Sequence, residues 1–161
     1  MNNGINVNSE IGKLKSVLLH RPGAEVENIT PDTMKQLLFD DIPYLKIAQK
    51  EHDFFAQTLR DNGAETVYIE NLATEVFEKS SETKEEFLSH LLHEAGYRPG
   101  RTYDGLTEYL TSMSTKDMVE KIYAGVRKNE LDIKRTALSD MAGSDAENYF
   151  YLNPLPNAYF T

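Results

Sequence analysis

The chain has 161 residues, 40% hydrophobic and 27% charged, with a formal net charge of −9 and no cysteine. That balance suits one ordinary globular domain and excludes a disordered polymer; the acidity argues against nucleic acid, whose phosphates need Lys and Arg, and the missing thiol excludes disulfides, thiolate metal sites and a cysteine nucleophile within these residues. No apolar run approaches the roughly 20 residues of a membrane-spanning helix, and Met1-Asn2-Asn3-Gly4 lacks the basic and apolar parts of a secretory leader, so no membrane partner and a cytoplasmic location are expected.

The first region, residues 1–71, reads as α/β. Lys13 to Leu19 alternates and then turns continuously apolar before Arg21-Pro22-Gly23, the pattern of a strand entering a sheet interior and ending in a turn. Thr30-Pro31 is a good cap followed by a proline suited to the first helical position, predicting a short helix through Gln36-Leu37. Leu45, Ala48, His52, Phe55 and Leu59 recur at spacings of three and four, one stripe of a longer helix that Asp61-Asn62-Gly63 ends. Glu65 to Ile69 predicts a second strand, and the order strand, helix, strand suits a parallel pair with a helical crossover.

Residues 72–146 read as an inserted helical bundle. Thr83 to Glu86 fits a capping box ahead of Phe87, Leu88, Leu91, Leu92 and Ala95, and Gly96 with Arg98-Pro99-Gly100 breaks the chain. Leu106, Tyr109, Leu110 and Met113 form the next face; Ser114 to Asp117 caps another helix carrying Met118, Val119, Ile122, Tyr123 and Val126. A polar link from Asp140 to Asp145 leads to residues 147–161, where Tyr149-Phe150-Tyr151-Leu152 returns to strand chemistry. The last nine residues, Asn153 to Thr161, read as a Pro-stiffened turn feeding an aromatic strand expected to continue past Thr161.

Local chemistry alone does not identify an activity. Asp40 and Asp41 are adjacent and point to opposite faces in an extended segment, so one is expected to cap the Ile42-Pro43 helix start while the other is solvated. His90 and His93, with Glu94, have a spacing that can share a metal, but no third ligand is convincingly placed and a surface role is expected. His52, on the apolar stripe, reads as a hydrogen-bonded core or interface residue. Arg21, in His20-Arg21-Pro22-Gly23, can pair with a carboxylate or a substrate anion, or simply anchor its turn, the role turn chemistry favours. No P-loop, dinucleotide fingerprint, nucleophile elbow or EF-hand loop is present, and no cofactor or metal is implied.

Four segments, in order, resemble the N-terminal portion of arginine deiminase. They are Ser9-Glu10-Ile11-Gly12-Lys13-Leu14-Lys15 running into Leu18-Leu19-His20-Arg21-Pro22-Gly23; Leu37-Leu38-Phe39-Asp40-Asp41-Ile42-Pro43; Ala48 with Glu51-His52; and Asn153-Pro154-Leu155-Pro156-Asn157 with Tyr159-Phe160-Thr161. The resemblance spans the chain but less than half of the family's usual length. It implies an α/β propeller with a helical domain inserted early, and hydrolysis of L-arginine to L-citrulline and ammonia through a cysteine amidino-thioether, with carboxylates holding the guanidinium. Carried over by position, Asn157 would hold the substrate α-carboxylate, while Phe160 and Leu38 would pack its aliphatic stem, Leu38 from a loop over the site. Ala158 departs from the larger apolar residue common in the family. No catalytic residue falls in this chain: the family motif continues after Phe160-Thr161 with an Arg-Asp pair whose aspartate holds the guanidinium, and the nucleophile comes later still.

The resulting expectation is an N-terminal fragment of a homo-oligomeric arginine deiminase, inactive alone: a first propeller module (1–71), an inserted helical domain (72–146) and a truncated return strand (147–161). Two alternatives stand beside it. One is a non-catalytic α/β-plus-helical association module; the other is a different guanidino-modifying enzyme, an amidinotransferase or a dimethylarginine hydrolase, which the helical insertion and Leu38-Phe39-Asp40-Asp41 disfavour.

Overall fold

In a computed structural model, residues 7, 9–35, 37–131, 133 and 149–155 are described. The expected parallel pair forms: β1 (Ser16–Leu19) lies beside β2 (Glu65–Tyr68), in register from Ser16 with Glu65 to Leu19 with Tyr68. After β1 comes a single helical turn, α1 (Ala24–Glu27), and the crossover is α2 (Leu45–Asp61). Gly63, at φ 82, makes the turn out of α2 in the left-handed conformation a side chain resists. The stripe of α2 is shifted from expectation at one point, because Ala56 is fully buried while Phe55 is 52% exposed. Both positions fit the periodicity; the small side chain lets helix and sheet approach closely, and the ring is turned outward. The run Val17-Leu18-Leu19 predicted a strand covered on both faces, yet Leu19 is 8% and Leu18 45% exposed. Alternation along a strand sends the two leucines to opposite faces, and α2 covers one of them.

The helix expected from Thr30 is instead a pair of turns. The Thr33 and Met34 N–H groups both donate to the Thr30 carbonyl, at 3.0 and 2.8 Å, and the Leu37 N–H donates to that of Thr33 at 3.0 Å. Asp41 accepts from the Ile42 N–H at 2.8 Å, a local turn bond; α2 itself starts only at Leu45, so this aspartate does not cap it.

Ile69, expected to end the second strand, opens α3 (Ile69–Lys79) without an intervening loop. There follow α4 (Ser81–Glu94), α5 (Arg101–Thr111) and α6 (Thr115–Ala124). Leu92, Leu106 and Leu110 are fully buried at their centre, with Leu88, Met118, Val119 and Ile122 around them. Each such side chain stabilises by about 1.5–3 kcal/mol through lost apolar hydration. The cap of α6 is the expected one, Ser114 Oγ accepting from the Asp117 N–H at 3.1 Å. The cap of α4 lies one turn earlier than Thr83: Ser80 Oγ accepts from the Thr83 N–H at 3.1 Å.

The chain then returns to extended structure. β3 (Val126–Arg127), a 3₁₀ turn (Lys128–Glu130) and β4 (Phe150–Leu152) form an antiparallel pair, Val126 with Leu152 and Arg127 with Phe150, with an irregularity between. All three β4 residues are buried, and Tyr151 and Leu152 belong to the same core as the helices. Mixed helices and small sheets give an α/β class. Among the described residues no helix is long and apolar enough to cross a membrane.

Candidate functional site

Of the three residues implied as substrate contacts, Leu38 is described; Asn157 and Phe160 lie outside the described residues. Leu38 closes the turns that begin at Thr30. Its N–H donates to the Lys35 carbonyl at 3.3 Å and the Phe39 N–H donates to that of Met34 at 2.9 Å, the paired bonds of a Schellman ending. The left-handed position of that motif normally takes glycine, but here Leu38 holds it, at φ 60. A leucine there costs roughly 1–2 kcal/mol, and its side chain is 82% exposed, so packing does not repay the cost.

The richest polar cluster was not foreseen. His20, at the end of β1, has its two ring nitrogens on two different carboxylates: Nε2 is 3.1 Å from Glu25 of α1, and Nδ1 bonds Glu70 of α3. Its ring stacks on Tyr123 of α6, centroids 4.5 Å apart and planes 18° from parallel. Burial alone would lower the imidazole pKa, but the hydrogen bonds and charges of Glu25 and Glu70 outweigh it and raise the value to about 9. His20 is therefore an imidazolium near neutral pH, holding its protons rather than accepting one. Because the carboxylates face opposite ring nitrogens, they do not converge on a common point with either, and among the described residues no cluster of three or more His, Asp or Glu is arranged to hold a metal. The cluster walls a cleft of about 540 Å³ that Arg21, Gln49, Asn71 and Lys116 also line. Glu25 is 2% exposed and also accepts from the Gly23 N–H, so the turn after β1 is folded onto its own carboxylate. Sequence reading missed this because the three partners of His20 come from three later helices, with no spacing that links them.

Arg21 anchors its turn. Its Nε and Nη2 donate to the two oxygens of Asp53 at 2.8 and 2.9 Å, a fork that fastens the turn to α2. Gln49 adds a bond from its Nε2 to the Pro22 carbonyl at 3.0 Å. Asp53 keeps its carboxyl below the usual range through that same guanidinium. His52 corrects an expectation: it faces the sheet, 5.8 Å from the Tyr68 ring, but its buried Nε2 has no hydrogen-bond partner among the described residues. Burial accordingly lowers its pKa and keeps it neutral. His90 pairs loosely with Glu86 at 3.9 Å with both side chains mostly exposed, and His93 is exposed in the last turn of α4, in keeping with a surface role.

A family model described as arginine deiminase matches residues 35–161. The chain is 99% identical over 161 residues to an arginine deiminase of Lactococcus lactis subsp. cremoris (strain MG1363), covering 100% of this chain and 39% of that protein. It is similar to arginine deiminases of Limosilactobacillus reuteri (strain DSM 20016), at 55% identity over 161 residues and 39% of that protein, and of Clostridium perfringens (strain SM101 / Type A), at 54% over 159 residues, 98% of this chain and 38% of that protein. The chain thus spans about two-fifths of the length of the curated relatives it matches.

Proposed function

Since this chain belongs to the arginine deiminase family, we propose that it is the N-terminal part of a hydrolase that converts L-arginine to L-citrulline and ammonia. In the proposed reaction a cysteine thiolate attacks the guanidinium carbon, ammonia leaves to give an amidino-thioether, and water hydrolyses that intermediate to citrulline and the free thiol. The 161 residues contain no cysteine, so the nucleophile would come from outside them and the chain alone would not turn over arginine. Within it, Leu38 and Phe160 would pack the aliphatic stem of the substrate and Asn157 would hold its α-carboxylate. The architecture proposed is a propeller module over 1–71, an inserted helical domain over 72–146 and a returning strand over 147–161, in a cytoplasmic homo-oligomer.

The observation that carries this reading is the 99% identity over the whole chain; the strained, outward Leu38 supports the loop role. The test is citrulline formation from L-arginine by the purified chain and by the polypeptide extended to the length of its relatives. The extended protein should form citrulline and the 161-residue chain should not. Turnover at an enzymatic rate by the short chain would sink the assignment of the nucleophile, and none by the extended, folded protein would sink the activity.

A second reading, an association module, is favoured by one feature: Leu18 and Phe54 are 45% and 76% exposed around a two-stranded sheet. Size-exclusion of the chain mixed with a separately produced remainder decides it; failure to co-elute would count against this reading.

A further inference from the structure

The Leu38 loop and the strand β4, from which the chain runs on toward Asn157 and Phe160, share one seat at the junction of α6 and β3. Asn28, 9% exposed, roots the loop. Its side-chain amide donates to the Ala124 carbonyl at the end of α6, and its own carbonyl accepts from the Thr33 hydroxyl at 3.1 Å. On the other flank the Leu155 N–H donates to the Tyr123 carbonyl at 2.9 Å, and β4 pairs with β3. Arg127 touches both. Its Nε donates to Asn28 Oδ1 at 2.8 Å, while its guanidinium carbon lies 6.0 Å from the centroid of the Phe150 ring. Its backbone N–H is held by the Glu130 carboxylate at 3.0 Å, which Tyr109 and Lys121 also bond.

We propose that Arg127 is a positioning residue for the substrate site: it ties the root of the Leu38 loop to the root of β4 and so sets where Leu38 stands relative to that strand. The proposal rests on the role given to Leu38 above. A guanidinium suits the task because its edge donates to an amide oxygen while its face covers a ring, and an ammonium cannot do both in one fixed plane. The Asn28 amide is used at both ends, as donor to Ala124 and acceptor from Arg127, which fixes its orientation.

The test uses the full-length polypeptide and steady-state kinetics with L-arginine on Arg127→Ala, Arg127→Lys, Asn28→Ala, the Asn28→Ala/Arg127→Ala pair and Leu38→Ala. Loss of the tie should raise KM roughly tenfold with kcat within about threefold, and the pair should fall well short of the product of the two single fold-changes, since both remove the Arg127–Asn28 bond while each also loses a contact of its own. Arg127→Lys should stay closer to Arg127→Ala than to the parent. An unchanged KM in a folded Arg127 or Asn28 variant, or fully additive effects, overturns the proposal. If Arg127→Ala does not fold, Asn28→Ala reads the same tie from the loop side. If Leu38→Ala leaves KM unchanged, the role of Leu38 fails, and the tie is judged by amide exchange. Hydrogen-bonded Met34 and Phe39 should then exchange at least about tenfold faster in Arg127→Lys than in the exposed control Lys46→Ala, and equal rates overturn it.

Discussion

His20 is where one side chain does most to join the fold, because its ring receives a carboxylate from α1, another from α3 and a stacked tyrosine from α6. With only 10% of the side chain exposed, the pair of charge-assisted bonds is shielded from water. Its folded pKa of about 9 stands above the ordinary histidine value of 6.5, so the stabilisation is complete below pH 6.5 and is lost as pH rises through 9. The loss has an upper bound of roughly 3 kcal/mol, since each tenfold gain in proton affinity is worth about 1.4 kcal/mol. Melting curves from pH 6 to 10 should show the parent losing stability across that window relative to His20→Gln, which has nothing to titrate there; parallel curves would refute the clamp. Gly125 gives a second contrast. At φ 81, a Cβ there would sit 2.6 Å from the Pro154 nitrogen and 2.7 Å from the Leu152 oxygen, both backbone atoms that cannot swing aside. Gly63 has nearly the same φ, 82, with nothing within 4 Å. Gly63→Ala should therefore cost about 1 kcal/mol of backbone strain, and Gly125→Ala at least about twice that through the added clash. Equal denaturant midpoints for the two would contradict this account of the α6–β3 corner.

At the level of elements, the caps show what a sequence can and cannot reveal. Ser114 with Asp117 is legible because the signal is local: a serine, the right interval, then an apolar face at helical spacing. Thr83 with Glu86 gives as good a local signal, yet Ser80 is the cap, because α3 runs on to Lys79 and leaves one extended residue, φ −144, to end one helix and start the next. That abutment is a tertiary fact with no local signature. The same division holds for the site: Leu38 is legible only through resemblance, its strained φ is not, and the His20 knot, built from residues scattered over a hundred positions, left no pattern to read. Replacing Ser80 or Ser114 by alanine should each cost about 1 kcal/mol, measured by urea unfolding. For Ser114 the loss should spread to the corner that α6 supports, with faster amide exchange at Leu155, which bonds Tyr123. Exchange at Leu155 unmoved by Ser114→Ala would show that the cap and the corner are uncoupled.

The molecule as a whole is uneven. Among the described residues, helices α3 to α6 and the second sheet close around one apolar core, but β1 and β2 form a parallel pair with α2 on one face and Leu18 45% exposed on the other. Parallel sheets are stable when both faces are covered, and a two-stranded sheet leaves two open edges. On α2, Ile47 and Phe54 lie seven residues apart on one outward stripe, 46% and 76% exposed, with Tyr44 63% exposed beside its start. These apolar side chains lie on two sides, the open face of the sheet and the outer side of α2, and are expected to seek cover. The 161-residue chain should therefore self-associate with rising concentration and bind an apolar dye, and Leu18→Lys with Phe54→Glu should reduce both. Because these side chains are already in water, the double variant should melt within about 1 kcal/mol of the parent. A remainder of the length found in the relatives, if it packs there, should displace the dye from the parent chain but bind the double variant at least about tenfold more weakly. A parent that stays monomeric and dye-free at high concentration would refute this expectation.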